Sequence, residues 1–143
     1  MSLFDALSVS ASGMSAQRVR AQLLVENIAN AETTRTEDGG PYRRKDAVFT
    51  AAPIEDSFGA ALDGALQPAG VRVANIVVDD RDPELRYLPG HPDADANGYV
   101  AFPRVNAAEE MVDLMSAGRN YQANVAAISA LKDMILRSLD IIK

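Results

Sequence analysis

The sequence predicts an α+β chain in which two long terminal helices pack as a coiled-coil-like pair, with a small β-rich element between them. Three observations carry this. Residues 105–143 hold an apolar ladder, Met111, Leu114, Gly118, Tyr121, Val125, Ile128, Lys132, Ile135, Leu139 and Ile142, whose spacing alternates three and four. Such spacing averages 3.5 residues and keeps one narrow seam on one helix face, as in a helix that packs on a partner with slight supercoil. Residues 2–31 repeat the pattern at Phe4, Leu7, Ala11, Met14, Arg18, Ala21, Val25 and Ile28. Between the two ladders lie short runs, 71–78, 85–88 and 99–102, bounded by Gly, Asp or Pro, which suits strands rather than helices.

In the first helix only Arg18 breaks the ladder, and no proline occurs before Pro41. Gly13 costs roughly 1 kcal/mol relative to Ala, which a helix of this length tolerates. The helix ends near Asn30, because the Asn and Thr side chains of residues 27–34 compete for backbone hydrogen bonds. Residues 35–44, with Asp38-Gly39-Gly40-Pro41, form a polar, turn-prone loop. A short strand follows within 42–49, and its basic start, Arg43-Arg44-Lys45, is expected as a solvated edge. Residues 54–66, between Pro53 and Pro68, allow a short helix. The β-branched run 71–78 is the best strand, and Pro89 and Pro103 keep the two later strands short. Asn106 followed by Glu109 and Glu110 is an N-cap with acids in the first turn of the last helix. The chain thus divides into an N-terminal helix (1–34), a β-rich middle domain with loops (35–104) and a C-terminal helix (105–143).

At 143 residues, the chain has the length of one ordinary domain. It has no Trp, four Phe and four Tyr, so helix-to-helix contact fits it better than a large aromatic core. A net charge of -6 argues against a general phosphate-backbone binder. Without cysteine, disulfide, thiolate-metal and cysteine-nucleophile chemistry are excluded. The start, Met1-Ser2-Leu3-Phe4-Asp5, has no basic region or apolar core of a cleaved signal, and no continuous apolar run reaches membrane-spanning length. The expectation is a soluble chain without a cleaved export signal.

Candidate chemistry is sparse. Asp93-Ala94-Asp95-Ala96-Asn97-Gly98 matches the opening of an EF-hand calcium loop, but the twelfth position is Arg104 where a bidentate carboxylate is needed. A turn between two strands is the better reading. His91, the single histidine, sits between Gly90 and Pro92 and is expected as a loop residue without triad or zinc partners. Glu109 and Glu110 are adjacent, so they diverge on a helix and make a poor acid/base pair. No Gly-rich phosphate loop occurs. No active site, metal or cofactor is expected. The alternatives from other classes are a small calcium- or ligand-binding module on the β element, and a cytosolic helical adaptor.

Several segments together resemble the axial proteins of the bacterial flagellum. They are Asn27-Ile28-Ala29-Asn30-Ala31, Glu110-Met111-Val112-Asp113-Leu114 and Arg119-Asn120-Tyr121-Gln122-Ala123-Asn124. Met1-Ser2-Leu3-Phe4, Ser12-Gly13-Met14-Ser15-Ala16-Gln17, Tyr42-Arg43, Val48-Phe49 and the run Pro89-Gly90-His91-Pro92-Asp93-Ala94-Asp95-Ala96-Asn97-Gly98-Tyr99-Val100 are similar, more narrowly, to flagellar basal-body rod proteins. The resemblance implies a structural subunit of the proximal rod, exported unfolded through the flagellar type III apparatus and assembled in the periplasm. It also implies terminal helices that polymerise into a tube, which transmits torque and walls the export channel. The neighbours so implied are FlgB, FlgF, FlgG, the adaptor FliE and further copies of the chain. The ladder residues other than Arg18, Gly118 and Lys132 are then the expected subunit interface, and no catalysis is implied.

Overall fold

The computed structural model describes residues 3–37, 39–53 and 69–141. In chain order it contains helix α1 (Leu3–Ala29), strands β1 (Lys45–Pro53), β2 (Ala69–Val78), β3 (Glu84–Tyr87) and β4 (Tyr99–Phe102), and helix α2 (Ala107–Ile141). The α+β class with long terminal helices is as expected, and the strand runs fall close to their expected places. The helix foreseen at 54–66 and the ladder position Ile142 lie outside the described residues.

Local chemistry sets the element ends. Asn30 Nδ2 donates to the Glu26 carbonyl at 2.9 Å, and its Oδ1 accepts the Thr33 hydroxyl at 3.2 Å. The Asn30 N–H still makes its helical bond to Glu26, but the following bonds, Ala31 N–H to the Ile28 carbonyl and Thr33 N–H to the Asn30 carbonyl, are three-residue turns that end α1. At the other helix, Asn106 Oδ1 accepts the Ala108 N–H at 3.1 Å, the expected N-cap.

The strands form two separate antiparallel pairs, β1 with β2 and β3 with β4. The β1–β2 ribbon carries an irregularity between Val48 and Phe49, a bulge that bends it. It lies along α1, where the Val71 N–H donates to Ser12 Oγ at 3.0 Å. In the second pair, Tyr87 and Tyr99 meet edge to face with ring centroids 5.4 Å apart. Val100 is fully buried and Phe102 nearly so, while the Arg86 guanidinium sits 4.7 Å from the Phe102 ring centre.

Residues 88–98 join β3 to β4 as the turn the Asp/Asn/Gly composition implies. Asp95 Oδ1 accepts the N–H groups of Asn97 and Tyr99, both at 2.8 Å. Gly98 has φ +83°, and a Cβ there would meet Tyr87 Cε2 at 2.9 Å, so glycine is required twice over. Asp93 Oδ2 accepts the Thr34 hydroxyl at 2.8 Å, and its Oδ1 lies 3.7 Å from Arg35. Both carboxylates of the calcium-like stretch are therefore committed to protein partners. His91 sits in this loop, its Nδ1 accepting the Asp93 N–H at 3.1 Å.

The buried apolar residues among those described are few, with two aromatics: Ala16, Leu23, Leu24, Tyr42, Val100, Phe102 and Ala117. This matches the aromatic-poor composition.

Candidate functional site

Three contacts define how the helices meet. Asn27 bonds to Glu110, Arg20 pairs with Asp113 at 3.4 Å, and the Gly13 Cα faces the Asn124 side chain so closely that an added Cβ would lie 3.2 Å from it. The partner numbers rise as the α1 numbers fall, so the helices run antiparallel. Gly13, a weakness by helix propensity, is what admits Asn124 to the contact.

This seam is displaced from the apolar ladder of α1. The α1 residues that meet α2, Gly13, Arg20 and Asn27, each stand one residue before a ladder position, Met14, Ala21 and Ile28, and the helical row they define also passes through Ser10, Gln17 and Leu24. In α2 the better-covered positions after the first residue are Glu110, Asp113, Leu114, Ala117, Asn124, Ile128, Leu131 and Ile135. Three of these, Leu114, Ile128 and Ile135, belong to the ladder. Its other row is shifted by one, which replaces Gly118 and Lys132 by Ala117 and Leu131. The interruptions foreseen in the seam thus lie beside it.

Much of the ladder is left at the surface. Phe4 is 77% exposed, and Ala11, Val25, Met111, Tyr121, Val125 and Leu139 are exposed as well, while Leu7, Met14, Ala21, Ile28, Leu114, Ile128 and Ile135 are partly covered. Among the family-motif residues, Arg119 and Gln122 are exposed on α2, Asn124 Nδ2 donates to the Asn120 carbonyl, and Pro89 and Gly90 are exposed in the β3–β4 connection.

Where α1 ends and α2 begins, a polar junction closes over Asn27, whose exposure is 0%. Its Nδ2 donates to the Lys45 carbonyl at 2.8 Å and to Glu110 Oε2 at 2.9 Å. Its Oδ1 accepts the Tyr42 hydroxyl and the Lys45 N–H, each at 2.9 Å. All four hydrogen-bonding positions of the amide are filled. Glu110, 2% exposed, takes the Arg44 Nε on its other oxygen at 2.5 Å, and Arg44 also reaches Asp46 at 3.2 Å. Lys45 Nζ pairs with Glu26 and lies over the Tyr42 ring.

The electrostatics follow from burial and pairing. Burial, helped by the carboxylates of Glu26 and Glu110, pushes the Tyr42 hydroxyl up to about 12. Burial alone would lower the Arg44 guanidinium, but its hydrogen bonds to Glu110 and Asp46 prevail and hold it above its ordinary value. Nearby, the Arg81 hydrogen bond brings Asp79 down to about 2.

The junction corrects two expectations. Arg44 and Lys45 are not a solvated edge, since each closes an ion pair to a helix; only Arg43 is exposed, donating to the Asp79 carbonyl. Glu110 is more than a first-turn acid, because it is the buried acceptor that joins α2 to both α1 and the Arg44 segment. The signal in the sequence was the polar set Ser10, Gln17, Arg20 and Asn27, which together with Gly13 and Leu24 keeps a three-and-four spacing beside the apolar one. Such a junction supplies rigidity and orientation. Among the described residues no group of three His, Asp or Glu side chains could hold a metal ion.

Comparison with known proteins decides the family. Over the whole chain and 99% of the relative, the sequence is 41% identical to "Flagellar basal-body rod protein FlgC" of Borreliella burgdorferi. The chain belongs to the FlgC family of flagellar basal-body rod proteins. FlgC of Bacillus subtilis is 41% identical over 99% of both chains, and FlgC of Salmonella typhimurium 39% over 97% of both. Residues 96–141 match the family described as flagellar basal body rod FlgEFG protein C-terminal. That match spans β4 and α2. The FlgC relatives extend over α1, the ribbon and the junction too.

Proposed function

We propose that this FlgC-family chain is a structural subunit of the flagellar basal-body rod, without catalytic activity, which polymerises through the helix faces that its own pairing leaves open. One observation carries the reading. Met111, Gly118, Val125, Lys132 and Leu139 follow one another at heptad spacing along α2, and each is exposed in the single chain although three of the five are large and apolar. A helix face patterned for packing and yet uncovered is a face meant for another helix. The antiparallel register adds to this, because α2 runs beyond the start of α1 with Leu136 and Leu139 exposed. Neighbouring subunits cover these faces: further copies, the rod proteins FlgB, FlgF and FlgG, and the adaptor FliE. The place of assembly is the periplasmic part of the proximal rod, where the packed helices transmit torque and wall the export channel. The junction at Asn27 keeps the start of the ribbon at a fixed angle to the two helices under that load.

Motility complementation tests this. Val125→Asp puts a carboxylate on the open face without touching the intrachain seam, and it should be exported but fail to restore swimming, since a buried unpaired charge costs several kcal/mol. Asp133→Ala, on an exposed position of the same helix, should swim normally. Normal swimming with Val125→Asp would show that this face is not an assembly surface.

A further inference from the structure

The strand β2 carries a hazard of unwanted self-association. From Val73 to Val78 it runs six residues without charge or proline, four of them β-branched, and Ile76, Val77 and Val78 are all exposed. Such a segment readily recruits another strand when its backbone groups are free at a sheet edge. Among the described residues β1 and β2 pair only with each other, so each has an outer edge.

The register shows where those edges are open. The Asp79 N–H donates to the Arg44 carbonyl at 2.8 Å, and hydrogen-bonded pairs alternate with open ones along an antiparallel ribbon. Lys45 with Val78 and Ala47 with Ile76 are therefore the open pairs, whose backbone groups point outward. The outward groups of Lys45 are both bonded to the Asn27 amide, which stands in for a neighbouring strand. The Ala47 N–H is taken by Asp46 Oδ1 and the Ile76 N–H by Asn75 Oδ1, each at 2.9 Å. One acceptor of this kind sits on each outer edge.

We propose that Asp46 and Asn75 are edge guards: side-chain acceptors that occupy the outward N–H groups of the ribbon and stop a second copy of the chain from adding its own β2 there. Asp46 also places a carboxylate, paired with Arg44, on the edge, and an apolar strand laid alongside would have to desolvate it. The guard operates in the free chain, whatever that chain later assembles into.

The test uses the full chain in four forms and measures the concentration at which β-rich assemblies appear, by amyloid-dye fluorescence and the infrared amide band. Asp46→Val with Asn75→Val frees both N–H groups and should lower that concentration by on the order of tenfold relative to wild type. Asp46→Asn with Asn75→Asp keeps an oxygen acceptor at each place and should behave as wild type. Asp46→Lys with Asn75→Lys loses the same native hydrogen bonds but restores charge to both edges, and should also stay near wild type. If the valine pair assembles no earlier than wild type, or the Asn/Asp pair assembles as early as the valine pair, the guards do not exist. If the lysine pair assembles as early as the valine pair, loss of native structure is the cause and the proposal fails.

Discussion

Replacing Asn27 by alanine removes four hydrogen bonds at a point with no solvent exposure. The groups left behind are the N–H and carbonyl of Lys45, the hydroxyl of Tyr42 and one oxygen of Glu110. A neutral hydrogen bond contributes about 0.5–1.5 kcal/mol net, and one to a carboxylate about 1.5–3 kcal/mol. Lys45 is only partly buried, so water can reach its backbone in the variant and its two bonds belong at the low end. The total is then about 3–5 kcal/mol, a large share of the about 5–15 kcal/mol that holds an ordinary domain together. Val25→Ala, two residues away and 52% exposed, should cost less than about 1 kcal/mol. Urea unfolding of the full chain, followed by far-ultraviolet circular dichroism, separates the two. An Asn27→Ala variant within about 1 kcal/mol of wild type, with an unchanged denaturant slope, would refute the view that this amide locks the helices to the ribbon.

Three further outcomes are expected. Gly98→Ala should destabilise the β3–β4 pair by about 1–3 kcal/mol, since the positive φ strains any L side chain and the new methyl meets the Tyr87 ring; thermal unfolding measures it. Tyr42 should make the chain alkali-sensitive: its hydroxyl titrates at 10.0 unfolded and at about 12 folded, so the native state keeps the proton longer. Stability is complete below pH 10, falls as pH rises to 12 and levels off beyond, and Tyr42→Phe should abolish that slope in pH-dependent unfolding. Amide exchange along α2 should be graded, slow near Glu110 and Ala117, which are buried, and faster beyond Val125, where no described residue is fully buried; uniform protection along the helix in a verified monomer would contradict this.

The sequence by itself determined the element types. Ladders of three-and-four spacing at both ends, β-branched runs between turn residues, and Asn at both the stop of α1 and the start of α2 are local signals, and the backbone obeys them because hydrogen bonding and burial along one helix or strand depend on near neighbours. It also carried the family, since the motifs around Asn27, Glu110 and Gly98 are long enough to be specific. What it could not supply was the rotation of the helices about their own axes. An apolar ladder marks a face that packs, but not whether the partner belongs to the same chain or to a neighbour. The structure turns α1 by about one residue, so that Asn27, Arg20 and Gly13 meet Glu110, Asp113 and Asn124 while Val25, Met111 and Val125 stay outside. The role of Arg44 was hidden for the same reason. Its carboxylate partner lies 66 residues away, and only folding brings the two together in a place dry enough for the pair to be buried.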